Sequence, residues 1–347
     1  MVYNKYIGII GGTGTIGSII VKYLLQLQTH FHVLIGGRRS IKEISMSTFY
    51  NSERLKYNQM NYNNDVELDN FCSQCLLVIN AVGPSFKIND KIALHALRNN
   101  CHYIDIGGYG ILRDLLKPYE KSIEAQKLCF IIGVGWMPGI SGVFSKTIIE
   151  THLNSPENTN FNIYYGAVDN WSYSSTYDLA ASSMGKTRSY VYSHGKEIQV
   201  SPFRYTHHKF FPFIGHKKIC MPSFDEQLTQ LATSLKQIRK ISTFIMLNDY
   251  ISMGKFMFIK IFYKHNLNKA TLMLQDDYQR LVKKENKWGS VICQVSKIEP
   301  ERKIDTFYYL YTKNNLLYTA LPAVITTQYI LDCLLYTSPS PRDRQKS

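Results

Sequence analysis

The first seventeen residues constrain the fold more than any other part of the chain. A hydrophobic segment, Tyr6–Ile10, leads into a glycine-rich turn and then into an apolar helical pattern. Gly12, Gly14 and Gly17 have the G-x-G-x-x-G spacing of a dinucleotide-binding turn between a strand and a helix. The first glycine allows the tight turn, the second lets the backbone approach a pyrophosphate, and the third lets the helix pack on the strand. The helix start offers its N–H groups and positive dipole end to the phosphates. The cofactor-binding turn predicted from this motif consists of Gly11, Gly12, Thr13, Gly14, Thr15, Ile16 and Gly17.

The next predicted strand, His32–Ile35, ends in two glycines and then Arg38 and Arg39. A site that prefers NAD places Asp or Glu near this point to bind the ribose 2′-hydroxyl group. Guanidinium groups instead suit a 2′-phosphate, because they combine a permanent charge with a planar fork of donors. The two arginines therefore predict NADP(H) as the cofactor, although a pair of solvated arginines in a turn would give the same sequence.

A continued alternation of strands and helices predicts a parallel, doubly wound sheet over residues 1–150. Further strands are expected at Lys56–Tyr62, Leu76–Ile79, Tyr103–Ile106 and Cys129–Ile132. In such sheets ligands bind beyond the carboxyl ends of the strands. The loops at 11–17, 36–39, 80–86, 105–108 and 133–139 are therefore expected to open on one edge.

The pattern changes after about residue 160, and we expect an α+β domain over residues 151–317. Its predicted strands are Phe161–Val168, Arg188–Tyr192, Glu197–Val200, Lys255–Lys264, Lys269–Leu274 and Val291–Lys297. Helices are predicted at Ser174–Met184, Phe224–Leu235 and Tyr318–Leu331. The last of these belongs to a C-terminal segment, 318–332, that is expected to return to the first domain.

The final segment, Cys333–Ser347, resembles the translation of a transposase-type sequencing adapter read in frame. We expect it to be an adapter read-through tail without regular structure beyond about Tyr336, so that the natural sequence ends near Asp332.

Composition excludes several function classes. The net charge is +14, but the lysines are dispersed and lack a nucleic-acid recognition motif, so no nucleic-acid partner is expected. The most apolar window, Ile241–Tyr263, contains Asn248, Asp249 and two lysines, so it does not predict a membrane span. Seven scattered cysteines and the lack of a signal peptide predict a cytoplasmic protein with free thiols. The histidines show no ligand spacing with cysteines or carboxylates, so no metal is expected.

Five motifs together resemble the saccharopine dehydrogenase-like oxidoreductase family. They are the turn at 11–17, Gly37-Arg38, Val78–Pro84, His102–Gly108 and Gly135–Gly139, with weaker landmarks at Ser193–Phe203 and Thr319-Ala320. The resemblance implies NADP(H) binding by the first domain, with the loops at 80–86 and 105–108 beside the cofactor. The additional cofactor-binding residues that it implies are Asn80, Ala81, Val82, Gly83, Pro84, Asp105 and Ile106.

The function expected from these features is NADP(H)-dependent hydride transfer to or from an imine or amine, or a carbonyl group. We expect a small acidic substrate and a homodimer. A non-catalytic NADP(H)-binding sensor or scaffold is the alternative. A short-chain dehydrogenase is rejected, because its Tyr-x-x-x-Lys motif requires a helix whereas Tyr192 and Lys196 flank a His-Gly hairpin turn.

Candidates for proton transfer cluster at one strand end, where His102, Tyr103 and Asp105 precede Gly107. Strand alternation places Tyr103 and Asp105 on one side. Hydride transfer often needs one acid or base, so these three residues are the predicted catalytic groups. The competing interpretation is that Tyr103 is a core residue and Asp105 caps the loop through backbone N–H groups.

Overall fold

A computed structural model of the chain describes residues 5–27, 31–40, 52–108, 110–154, 156–184, 189–223, 226–263 and 265–337. The chain divides into two units, Met1–Ile140 with Leu316–Ser347, and Ser141–Asn315.

The first unit contains a parallel sheet, as the alternating sequence pattern predicts. In the described residues its six strands are β1 (Tyr6–Ile10), β2 (Val33–Gly37), β3 (Leu55–Gln59), β4 (Cys75–Asn80), β5 (His102–Asp105) and β6 (Phe130–Ile132). Their order is β3-β2-β1-β4-β5-β6, and every pair is parallel. The order reverses between β1 and β4, which is the switch point where sheets of this type bind ligands. All six carboxyl ends therefore lie on one edge, as expected.

Helices cover both faces of this sheet, because fully buried strands such as β4 need apolar neighbours on each side. The helices of the unit are α1 (Thr15–Gln26), α2 (Asp65–Cys72), α3 (Ser85–Ile88), α4 (Lys91–Arg98), α5 (Gly110–Leu116), α6 (Glu120–Ala125) and the C-terminal helix α13 (Asn315–Thr337). Side chains of α1 and α13, such as Val21 and Ala323, share one core cluster. Side chains of α2, α4 and α5, such as Phe71, Ala96 and Leu112, share the other.

The second unit contains a mixed sheet. Its strands are β7 (Thr159–Val168), β8 (Ser189–Ser193), β9 (Lys196–Val200), β10 (His207–Phe211), β11 (His216–Pro222), β12 (Lys240–Leu247), β13 (Trp288–Ile298) and β14 (Lys303–Thr312). The main path is β10-β11-β12-β7-β13-β14, and the β8–β9 hairpin joins it at β12. Tyr192 and Lys196 lie on the two strands of this hairpin, so the short-chain dehydrogenase motif is absent here.

Six helices accompany this sheet in the described residues: α7 (Ile140–Thr151), α8 (Tyr173–Met184), α9 (Pro202–Tyr205), α10 (Glu226–Ser234), α11 (Tyr250–Phe262) and α12 (Leu267–Val282). The strands predicted at Lys255–Lys264 and Lys269–Leu274 are wrong, because residues 255–262 fall in α11 and residues 269–274 fall in α12. Side-chain caps begin both helices: Asp249 accepts a hydrogen bond from the Ser252 amide, and Asn266 accepts one from the Lys269 amide.

Several sequence predictions fall partly outside the described residues. The sequence also predicts a polar, helical crossover at Ile41–Leu55, of which positions 41–51 lie outside them, and so do residues 338–347 of the adapter-like segment. Arg188, Phe224 and Lys264, at the ends of three predicted segments, lie outside them as well. Helix α13 extends to Thr337, five residues beyond the Asp332 boundary expected from the sequence.

Candidate functional site

The glycine-rich turn after β1 adopts a backbone that matches the motif. Gly11 has φ +83°, a left-handed conformation that favours glycine. The amide of Gly14 donates to the carbonyl of Gly11 at 2.9 Å, and Gly14 then forms the N-cap of α1. No side chain caps this helix start. Because the first amides of a helix have no acceptor within the helix, those of Thr15, Ile16 and Gly17 form a site suited to an anionic group.

The three motif glycines differ in the space around them. A Cβ atom on Gly12 would lie 2.9 Å from Cγ2 of Ile35, and one on Gly17 would lie 2.8 Å from Cα of Gly12. A Cβ atom on Gly14 would meet only the Gly11 carbonyl oxygen, at 3.1 Å. Gly12 and Gly17 are therefore required by close packing within the protein, whereas Gly14 has a single close neighbour, which would need to move by a few tenths of an ångström. This difference fits a cofactor that approaches the backbone at Gly14.

The loop after β2 presents two arginines to solvent. Both Arg38 and Arg39 are exposed, and within the described residues neither guanidinium group has a hydrogen-bond or ion-pair partner. The backbone that carries them is held by β3: the Tyr57 hydroxyl donates to the carbonyls of Gly37, at 3.0 Å, and Arg39, and the Gln59 amide donates to the carbonyl of Arg38 at 3.4 Å. The loop is thus anchored while both charges stay available to an anion.

Tyr57 and Gln59 were not predicted as part of this site. They occupy alternate positions of β3, which pairs in parallel with β2 at Ile35↔Tyr57 and Gly37↔Gln59. The sequence signal that could have identified them is this spacing of two residues on a strand next to β2, which places both side chains on one side.

The loop after β4 lies against the glycine turn. The Ala81 amide donates to the carbonyl of Ile10 at 2.9 Å, and a Cβ atom on Gly11 would come within 3.0 Å of the Ala81 backbone. Asn80 fixes the loop because its side-chain oxygen accepts from the Val82 amide at 3.0 Å. The loop continues through a cis peptide bond between Gly83 and Pro84. These contacts bring the segment 80–84 together with the turn at 11–17, as the prediction of one common site requires.

Asp105 lies at the centre of a buried hydrogen-bond network. Its Oδ2 atom accepts from the Tyr103 hydroxyl at 2.6 Å and from Nδ2 of Asn80 at 2.8 Å. Its Oδ1 atom accepts from the Gly108 amide at 2.5 Å, and the Gly107 amide also donates to the carboxylate. A carboxylate has about four acceptor positions, so all of them are used within the protein.

Burial governs the pKa values at this strand end. Desolvation raises the pKa of Asp105, although the four hydrogen bonds lower it in part. Burial, with the charge of Asp105, raises the pKa of Tyr103 well above its usual value, so the phenol remains a donor at neutral pH. Burial lowers the pKa of His102, which favours the neutral ring. Its Nδ1 atom accepts from the Cys129 amide at 3.0 Å, which places the ring proton on Nε2.

The structure therefore separates the three predicted catalytic residues. Tyr103 and Asp105 lie on one side of β5 and bind each other, whereas His102 faces the other side and binds β6 through Cys129. Ile106 follows Asp105, and its amide donates to the Asn80 carbonyl at 3.4 Å.

A cleft opens beside this network at the carboxyl ends of β4 and β5. Its volume is about 300 Å³, including space open to solvent. The side chains that line it combine polar groups with an apolar wall: Asn80, Ser85, Phe86, Ile88, Asn89, Asp105, Ile111 and Leu112. Ser85 lies in the loop 80–86 that was expected beside the cofactor, whereas Asn89 was not predicted from the sequence, because only the fold brings α3 beside the end of β5.

Within the described parts of the chain, no group of three or more His, Cys, Asp or Glu side chains is arranged to hold a metal ion. In the same residues, no helix combines the length and hydrophobicity that crossing a membrane would need.

Comparisons with known proteins show what this chain resembles. No curated protein sequence matches the chain. The fold is similar to that of apo saccharopine dehydrogenase (L-Glu forming) from Saccharomyces cerevisiae, with a TM-score of 0.66 and 13% identity over 97% of this chain and 93% of that chain. DAP dehydrogenase from C. glutamicum, in complex with DAP, matches with a TM-score of 0.44 and 11% identity over 92% of this chain and 86% of that one. At that TM-score the second likeness carries no structural conclusion.

A sequence comparison with protein families locates the resemblance more closely. Residues 7–129 match the family described as the saccharopine dehydrogenase NADP binding domain. This range contains the glycine turn, the arginine loop, the Asn80 loop and the Asp105 network. Residues 7–129 of this chain are therefore similar to the NADP-binding domain of saccharopine dehydrogenase.

Proposed function

We propose that this chain is an NADP(H)-dependent oxidoreductase that transfers a hydride to or from an imine or amine, or a carbonyl group. The observation that carries the proposal is the helix start at Gly14, which no side chain caps, together with the exposed guanidinium groups of Arg38 and Arg39. When bound, the nicotinamide supplies the hydride chemistry.

Different segments of this chain would bind different parts of the cofactor. The amides at the start of α1 would bind the pyrophosphate, and the space at Gly14 would admit it. Arg38 and Arg39 would bind the 2′-phosphate through charge-assisted hydrogen bonds. The loops at Asn80–Pro84 and Asp105–Ile106 would border the other half of the cofactor.

We infer that Asp105 acts as a positioning residue. Its oxygens are saturated by Tyr103, Asn80 and two backbone amides, so a proton transfer through Asp105 would require one of these bonds to break. This arrangement holds the ends of β4 and β5 at a fixed distance beside the cleft. Proton transfer by Tyr103 or by His102 stays a proposal.

The test of the proposed function has two parts. Fluorescence titration should show tighter binding of NADPH than of NADH to the wild-type protein. NADPH oxidation should then be followed against a panel of carbonyl compounds and of 2-oxo acids combined with amino acids. Steady oxidation with a member of the panel supports the enzyme, whereas binding of NADPH without oxidation across the panel favours a sensor or scaffold.

The sensor remains the second candidate because of one feature of the site. Among the described residues around the cleft, the only carboxylate is Asp105, and its acceptor positions are already used.

We further propose a small acidic substrate, a cytoplasmic location and a homodimer. The excess of positive charge favours an anionic substrate. All seven cysteines are free thiols, which suits a reducing compartment.

A further inference from the structure

The outward face of α11 is apolar along its whole length. Tyr250, Ile251, Phe258, Ile261 and Phe262 are each between 40% and 65% exposed. At 100° per residue these five positions, with Gly254, fall within an arc of about 120°. No charged residue of α11 lies in that arc, which we call the α11 face. An ordinary surface helix presents charged or polar side chains there.

The opposite side of α11 is already packed in the core of its unit. Ser252, Phe256 and Ile259 are buried, and Phe256 and Ile259 belong to a core cluster shared with α12. A helix that is hydrophobic all round is normally buried on every side. The α11 face is therefore expected to be covered by another surface in the functional state of the protein.

The area of the α11 face can be compared with that of a stable interface. Taking about 200 Å² for each fully exposed large side chain, its five side chains present roughly 550 Å² of apolar surface. A stable interface buries about 800 Å² per partner, so this surface would supply most of the apolar centre of one.

The charges at the two ends of α11 are opposite in sign. At its start, Lys255 and Arg280 pair with three carboxylates, those of Asp249, Asp276 and Asp277, which leaves one negative charge. At its end, the exposed charged side chain among the described residues 258–270 is Lys269, which is positive, whereas Lys260 lies on the core side with its ammonium group over the Phe256 ring. Such a surface is complementary in charge to the same surface of a second copy whose α11 runs antiparallel.

We infer that the α11 face is the dimer interface of this chain, where it packs against the α11 face of a second copy across a two-fold axis. This inference rests on the homodimer proposed above and names its contact surface. In the antiparallel arrangement the negative start of each helix lies beside the positive end of the other, and the helix dipoles are also opposed favourably. A Cβ atom on Gly254 would meet no atom within 4 Å, so the two helices can approach closely near this residue.

A lipid surface is the main competing occupant. Helices that lie on membranes carry Lys and Arg around the apolar face, which bind anionic headgroups. Here the start of the helix carries an excess of carboxylates, which anionic headgroups would repel. The two-signed pattern thus favours a second copy.

The first experiment measures mass in solution. Light scattering after size exclusion should give a dimer for the wild-type chain, and Phe258→Glu should raise the dimer Kd by about 100-fold or more, because the charge would be buried twice at the two-fold contact. Val66→Glu on α2 is the matched control, since Val66 is 69% exposed in the other unit, and it should leave the dimer intact. NADPH titration of each variant should give the wild-type affinity, which separates failure of the interface from failure of the proposed function.

The second experiment maps the contact directly. Gly254→Cys in a Cys333→Ser background, which removes the exposed native thiol, should form a covalent dimer with a short bifunctional maleimide. Val66→Cys in the same background should not.

Three results would overturn the inference. The first is a wild-type chain that is monomeric at tens of micromolar, and the second is a dimer whose Kd Phe258→Glu leaves unchanged. The third is a monomeric chain that binds vesicles of phosphatidylcholine and phosphatidylserine and loses that binding in Phe258→Glu, which would assign the α11 face to a membrane.

Discussion

Replacement of Gly14 by valine separates cofactor binding from folding. A Cβ atom at Gly14 would meet only the Gly11 carbonyl oxygen, at 3.1 Å, so this oxygen must move by a few tenths of an ångström, and no other atom lies within 4 Å of the Cβ position. The folding cost is that of a poorer N-cap residue, about 1 kcal/mol. In a unit of this size the cost corresponds to a decrease in Tm of roughly 2–4 °C.

The same side chain would occupy the path by which the pyrophosphate reaches the amides of Thr15 and Ile16. Loss of several hydrogen bonds to a charged group costs about 3 kcal/mol or more, so NADPH should bind at least about 100-fold more weakly to Gly14→Val. NADH should lose affinity by a similar factor, because both cofactors have the pyrophosphate.

Gly17→Ala provides the matched comparison. Its Cβ atom would lie 2.8 Å from Cα of Gly12 and would overlap the Gly11 carbonyl, so the backbone itself must move. Overpacking of this kind costs about 1–3 kcal/mol, and a single methyl group should therefore lower Tm more than valine does at Gly14.

The assay is a fluorescence titration with NADPH combined with thermal unfolding of the three proteins. We expect Gly14→Val to lose binding with only a small decrease in Tm, and Gly17→Ala to show the larger decrease in Tm. NADPH affinity within threefold of wild type in Gly14→Val would refute the placement of the pyrophosphate. A decrease in Tm as large as that of Gly17→Ala would refute the claim that Gly14 is less tightly packed than Gly17.

Three further predictions concern charged groups. Arg38→Ala should weaken NADPH binding by about 10- to 100-fold and leave NADH binding nearly unchanged; equal losses for both cofactors would show that the arginine acts structurally. Asp105→Asn turns one acceptor into a donor that faces other donors, so stability should fall by about 2–3 kcal/mol and NADPH affinity should fall with it, whereas a decrease in kcat alone would indicate proton transfer by Asp105. Arg280 binds Asp249 through two hydrogen bonds, of 2.7 and 2.9 Å, and holds the pKa of that carboxyl group well below its usual range. The stability that this pair contributes is present above the unfolded pKa of Asp249, about 4, and is lost as the pH falls below it. Arg280→Ala should therefore lower the free energy of unfolding at pH 7 by about 2 kcal/mol and flatten its pH dependence, measured with denaturant, between about pH 5 and 3. An unchanged pH dependence in this range would contradict this assignment.

Local sequence was sufficient to predict the fold of the first unit. The segment from Tyr6 to Gln26 forms a strand, a glycine turn and a helix because each residue type there allows little else. The left-handed backbone at residue 11 favours glycine. Apolar runs such as Cys75–Asn80 fit a sheet that is covered on both faces. The parallel order and the common edge of the loops follow from the short helical crossovers between strands.

Local sequence was misleading where two periodicities overlap. The segment Lys255–Lys264 is rich in Phe and Ile and places lysines among them, as a half-buried strand would. The structure buries positions 252, 256 and 259 of this region, which is helical spacing, and the Asp249 cap fixes the helix start. The cap was a local signal that the strand interpretation passed over, whereas the burial on α12 exists only in the folded chain.

Tertiary structure alone decided what the candidate catalytic residues do. The sequence places Tyr103 and Asp105 on one side of a strand, but it does not show that Asn80, 25 residues away, donates to the same carboxylate. Likewise, Arg280 meets Asp249 only because α11 and α12 pack together. A local pattern fixes backbone conformation, because steric limits act between neighbouring residues. The partners of a buried charge are fixed by the packing of distant segments, because an unpaired charge is costly only once it is buried, and burial requires those segments to pack together.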